Sequence, residues 1–124
     1  LQRELIMIKI RRSVFETNSS MTHSMVLMND EQHKAWEEGE LYADFWRNKF
    51  YTREQVEREM IGKYGHDLRD YDDIESFDKQ VMYDMDAISS REYEDDISEL
   101  YETYDTHYMV DGKSIHAVGY YGHD

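Results

Sequence analysis

The sequence predicts an α+β fold: a small antiparallel sheet from N-terminal strands and a C-terminal hairpin, packed by three or four helices. Three observations predict it. Strand-like alternation of apolar and polar residues is confined to the two ends of the chain. Helical spacing with capping signals fills the middle. Asp111-Gly112, the dipeptide a type I′ turn prefers, separates two alternating runs near the C-terminus.

Each element follows from its own pattern. Residues 6–15, IMIKIRRSVF, place Ile6, Ile8 and Ile10 on one face and Lys9 and Arg11 on the other, which is strand periodicity. His23 to Met28, HSMVLM, reads as a second strand, joined to the first through the polar stretch FETNSSMTHS at 15–24. In NDEQHKAWEEGE, Asn29 is an N-cap with Gln32 three residues on, so a short helix should run to about Gly39. Residues 41–51, LYADFWRNKFY, fit neither period. Thr52 opens a second capping box, and Val56, Met60 and Tyr64 keep helical spacing up to Gly65. Ile74, Phe77, Val81, Met85 and Ile88 mark a further helix. Ser89 and Glu92 open the last one, over Ser90–Tyr104, with Tyr93, Ile97, Leu100, Tyr101 and Tyr104 as its stripe. The hairpin register then sets Val110 against Lys113, Tyr108 against Ile115 and His107 against His116, with Tyr108, Val110, Ile115 and Ala117 facing the core.

Composition bounds the function. A chain of 124 residues, 40% hydrophobic and 14% aromatic, can close one core, so residues 1–124 read as a single domain. Arg3-Glu4 can be encoded AGG GAG, which resembles a bacterial ribosome-binding site, and Leu5-Ile6 supplies a spacer. Residues 1–6 are therefore expected to lie upstream of a natural start at Met7; the alternative is that they extend the first strand. There is no cysteine, hence no disulfide and no thiolate zinc site. No apolar run reaches the roughly 18–20 residues of a membrane helix, and LQRELIMIKI is too short and too charged for a signal peptide. A soluble intracellular protein without membrane contact is expected.

Charge is uneven. The formal net charge is −14, and from Asp67 to Asp105 fifteen carboxylates face three basic residues, a net of −12 in 39 residues. Such a chain repels nucleic acid and competes with it for basic partners, so no direct nucleic acid binding is expected. Carboxylates three or four positions apart on a helix sit about 5–6 Å apart, a spacing comparable to that of successive phosphates on one strand. One reading of this acidic half is a solvated face that keeps a small protein soluble; in the other, Glu92, Asp95, Asp96, Glu99 and Glu102 are the expected partner contacts, with Asp70, Asp72, Asp73 and Glu75 as a second cluster. Tyrosines in or near this half, Tyr71, Tyr83, Tyr93, Tyr101, Tyr104, Tyr120 and Tyr121, suit an interface.

Two other constellations carry chemistry. Polar turns cap and bond their own backbone, which accounts for FETNSSMTHS structurally. The functional alternative is a nucleotide- or phosphate-binding loop, signal-sequestering or enzymatic, lined by Arg11, Arg12, Asn18, Ser19, Ser20, Thr22 and His23. No nucleophile-elbow pattern accompanies Ser20, Ser24 and His23, and no HExxH, CxxC, GxGxxG or P-loop string occurs, so no catalytic residue and no cofactor are assigned. His107 and His116 oppose each other, but two imidazoles do not complete a metal site without a carboxylate such as Asp105. The expectation is a cross-strand pair without metal.

The strings IKIRRSVFETNSSMTHS and GYYGHD resemble those of small, uncharacterised proteins encoded by phages and prophages of low-GC Gram-positive bacteria. Such proteins carry a basic strand, then FETNSSSTHS, and end in a GYYGYD-like string; here Met21 stands for serine and His123 for an aromatic. The resemblance implies a protein acting in the host bacterial cytoplasm. By analogy of size and charge, it implies an anti-CRISPR-like inhibitor of a basic host nuclease or other defence protein. A plainer alternative is a protein whose partner is another phage protein. The sequence sets neither the target nor the oligomeric state.

Overall fold

The computed structural model describes residues 22–122. The fold is α+β, with four helices, a three-stranded antiparallel sheet and a two-stranded one. The first predicted strand, residues 6–15, lies outside the described residues.

β1 (Thr22–Met28) leads into α1 (Asp30–Glu37), where Asn29 and Gln32 exchange both bonds of the predicted capping box. The segment that fitted neither period is a hairpin of β2 (Leu41–Asp44) and β3 (Lys49–Thr52). Buried Asp44 closes its turn: Oδ1 accepts from the backbone N–H of Trp46 at 3.0 Å and of Arg47 at 2.9 Å, and Oδ2 accepts from the Arg47 guanidinium at 2.8 Å. α2 (Arg53–Tyr64) starts on the Thr52–Gln55 box and stops at Gly65, whose φ of 71° suits glycine. α3 (Ile74–Met85) is capped by Asp73 and ends at left-handed Asp86, so Ile88 leaves the helix and pairs its backbone with Ala43.

The last helix departs most from expectation. α4 (90–100) has an α turn at Ser90–Glu92, a wider π turn at Tyr93–Ile97 and an α turn at Ser98–Leu100. It stops there instead of reaching Tyr104. Tyr101 is extended, and β4 (Glu102–Val110) takes over, because Thr103, Tyr104, Thr106, Tyr108 and Val110 favour a pleated strand once β5 (Lys113–Gly122) offers a ladder. The turn at Asp111 (φ 51°) and Gly112 (φ 76°) gives the predicted register, Val110 opposite Lys113 and His107 opposite His116.

The large sheet runs β1-β5-β4, with β5 in the centre. Val26, Met28 and Val118 on one face pack with Trp36, Phe45, Ile88, Tyr93 and Ile97 into the main core. The predicted core residues of the hairpin lie on the opposite face. Tyr108, Val110, Ile115 and Ala117 share a separate cluster there with Met25, Leu27 and Tyr104. A third cluster joins α2 and α3 through Val56, Met60, Phe77 and Val81, and Tyr42 reaches it from the reverse side of β2. No helix among the described residues is long and apolar enough to cross a membrane.

Candidate functional site

Asp70 ends a single 3-10 turn at Leu68–Asp70, Asp72 follows it, Asp73 caps α3 and Glu75 lies in its first turn; all four are exposed. Carboxylates at a helix start are favoured by the helix dipole. Asp73 is held below the usual carboxylate range chiefly by the Ser76 backbone N–H, so it stays ionised as a cap. The start of α3 adjoins α4 across a cleft lined by Ile74, Asp78, Arg91 and Glu94, with Arg53 on the α2 side. Asp95 and Glu99 stand exposed further along α4, and Glu102 lies on β4, where it accepts from the Tyr121 hydroxyl at 2.8 Å. Seven of the nine predicted contact carboxylates are thus exposed: Asp70, Asp72, Asp73, Glu75, Asp95, Glu99 and Glu102. Among them Glu75 meets Lys79 at 3.9 Å; the other six form no ion pair among the described residues.

Glu92 is a correction. Its side chain is fully buried, and neither carboxyl oxygen has a hydrogen-bond partner among the described residues, so it is no surface contact. The inward face of α4 is Ser89, Glu92, Tyr93, Asp96 and Ile97, spaced three, one, three and one. That face is helical, but displaced from the apolar stripe that letters alone select, and Leu100 is exposed. Tyr93 anchors it: its hydroxyl lies 2.6 Å from the Gly119 carbonyl and 2.7 Å from that of Tyr104, and accepts the Tyr104 N–H at 3.1 Å. Burial, then the neighbouring half-buried Asp96, raises the Glu92 carboxyl to about 8. Asp78 is raised by burial as well, while the Tyr42 hydroxyl donates to it at 2.6 Å. Among the tyrosines, Tyr83 is exposed, whereas Tyr93 is core.

Of the polar-loop residues, Arg11, Arg12, Asn18, Ser19 and Ser20 lie outside the described residues. Thr22 and His23 open β1. The His23 ring hydrogen-bonds the Tyr104 hydroxyl across the sheet.

A second constellation forms where α1 crosses the sheet. The helix brings Asp30, His33 and Glu37 to one side, three and four residues apart. β4 and β5 bring Asp105, His107, Ser114 and His116 to the face beneath it. His116 stacks between two imidazoles, with centroids 4.0 Å from His33 and 4.8 Å from His107. His33 Nδ1 is 3.1 Å from Glu37 and its Nε2 is 2.7 Å from Asp105. His116 Nε2 is 2.7 Å from Asp30, which also accepts from the Ser114 hydroxyl at 2.6 Å; Ser114 in turn meets His107. These bonds hold the Asp30 carboxyl below its usual range, Ser114 contributing most. Two ligand sets share His116: Asp30–His107–His116 and His33–Asp105–His116, with donor atoms in each within 4.8 Å of one another. The His107–His116 pair and Asp105 are legible in the sequence. His33 and Asp30 are not, although D-x-x-H-x-x-x-E on an amphipathic helix is the signal that carries them.

No protein-family model, curated protein or solved structure matches the chain.

Proposed function

We propose that this chain is a binding protein whose acidic half occupies a basic, nucleic-acid-binding groove on a partner, in its concrete form a phage-derived inhibitor of a host defence nuclease. One observation carries the reading. Seven carboxylates on the turn before α3, the α3 start, α4 and the first residue of β4 point to solvent, and only Glu75 among them is paired with a basic side chain among the described residues. Like charges held close at a net of −14 cost stability, and a cationic partner relieves that cost. Arg91 and Arg53 interrupt the face at the α3–α4 cleft and make it a patterned surface, which favours one register on a partner. The binding step needs no reaction and no bound group.

The test is competition with nucleic acid. Binding to a basic defence nuclease should weaken steeply as salt rises, and nucleic acid should displace the protein. A variant combining Asp70→Asn, Asp72→Asn, Asp95→Asn and Glu99→Gln should lose inhibition while its melting temperature stays the same or rises. Inhibition that survives this neutralisation would sink the proposal.

A further inference from the structure

We propose that His33, Asp105 and His116 form a binding site for one divalent transition-metal cation of the zinc class. The inference stands apart from the acidic-surface reading, since none of its ligands is among the seven contact carboxylates of that surface.

Four observations lead to it. The three donors already lie within 4.8 Å of one another. A tetrahedral ion with bonds of about 2.0–2.1 Å needs donors about 3.4 Å apart and lies in the plane of each ligand ring, so closing the site requires the stacked His33 and His116 rings to tilt apart as the donors draw together. Second, the site is sheltered by its own fold. His33 and His116 are 12% and 17% exposed and Asp105 is 36% exposed, with α1 lying over β4 and β5.

Third, His33 has a carboxylate at each ring nitrogen. A neutral imidazole has one N–H and one lone pair. As an imidazolium the ring would donate to both carboxylates; as a neutral ring with Nδ1–H on Glu37, its Nε2 lone pair faces the Asp105 oxygen at 2.7 Å. For the neutral ring, a cation seated between the two, with the carboxylate drawn back, turns that repulsion into coordination. The arrangement that results, metal on one ring nitrogen and carboxylate on the other, is how proteins orient ligand histidines. His116 carries the same kind of partner in Asp30.

Fourth, the alternative set is satisfied without an ion. His107, Ser114, Asp30 and His116 form a chain in which each hydrogen has an acceptor: His107 to Ser114, Ser114 to Asp30, His116 to Asp30. Asp30 and His107 therefore serve as outer partners and His33 and Asp105 as ligands. Two imidazole nitrogens with one carboxylate select zinc, nickel or copper over calcium and magnesium, which prefer all-oxygen shells. Three protein ligands leave a position for water.

The experiment titrates the full chain, freed of metal by chelation, with Zn2+ by calorimetry and with Co2+ by visible absorption. One equivalent should bind, Zn2+ should raise the melting temperature, and Mg2+ should do neither. His33→Gln and Asp105→Asn should each weaken Zn2+ binding at least about 10-fold, as should Glu37→Gln through the orientation of His33, whereas His107→Gln should leave it within about 3-fold. Circular dichroism of the metal-free variants checks that each keeps its fold. A dissociation constant weaker than about 1 mM for the parent chain, a stoichiometry other than one, or binding unchanged in His33→Gln overturns the site. Loss in His107→Gln with retention in Asp105→Asn moves the ion to the other set and equally overturns this assignment.

Discussion

Glu92 shows what one side chain contributes when packing overrides its chemistry. Its carboxyl is held near 8 by burial and by Asp96, against the usual value of 4.5 in the unfolded chain. Between those values the folded state binds the extra proton. Stability should therefore be greatest below about 4.5 as far as this group is concerned, fall as pH rises, and level off above about 8. Urea titrations across that window should show the slope, and Glu92→Gln should flatten it. Asp44 is the opposite case, a buried carboxylate whose oxygens are all engaged. Asp44→Ala should cost about 1–3 kcal/mol, read as an earlier urea midpoint, because two turn N–H groups lose their acceptor. The acidic letters at 92 and 95 look alike in the sequence. What separates them is Tyr93, whose hydroxyl ties α4 to β4 and β5 and thereby chooses which side of the helix turns inward. That choice depends on Gly119, 26 residues away, and no local pattern encodes it.

At the scale of elements, local signals sufficed wherever the backbone satisfied itself locally. Asn29, Thr52 and Ser89 cap helices where their types predict, and Asp111-Gly112 turns the hairpin in the expected register. Prediction failed where a distant strand decided. Tyr101 and Tyr104 fit a helical stripe, while Tyr104 also opens the run Tyr104, Thr106, Tyr108, Val110 on one strand face, and β5 settles the matter by supplying backbone partners. The β2–β3 hairpin was hidden for a related reason. Its turn is built by the Asp44 side chain, not by an Asn-Gly or Asp-Gly pair. The pairing of β4 with β5 also has a steric requirement. Tyr104 lies opposite Gly119, and a Cβ built there would sit 2.5 Å from the Tyr104 hydroxyl and 2.5 Å from the Ser24 carbonyl. Gly119→Ala should destabilise by about 1–3 kcal/mol in urea unfolding. Gly119→Ala combined with Tyr104→Phe should recover little, since the Ser24 backbone contact remains.

Taken as a whole, the molecule sets its charge against its fold. A net of −14 on a chain this small repels itself. Screening should help folding, so the melting temperature should rise between about 0.01 and 0.3 M sodium chloride. The same salt should weaken binding to a cationic partner. Opposite signs in one titration distinguish the two effects: a melting temperature that falls with salt would show that internal ion pairs, not repulsion, dominate. The acidic half and the histidine cluster were unequally legible for a geometric reason. Carboxylate density is a property of a contiguous stretch, whereas the cluster joins α1 to strands more than 70 residues later.

Because β5 is the middle strand of β1-β5-β4, every ladder bond of the large sheet among the described residues involves residues 113–122. A ribosome making this chain releases β1 early and then about 90 further residues before its mate exists. The emerging half can settle α2 and α3 against each other, but β1 must wait for β5, so the main core closes only once residues 113–122 have emerged. Chains stalled at Gly112 should stay protease-sensitive across β1 and β4, while those extended through Gly122 should become resistant in a single step.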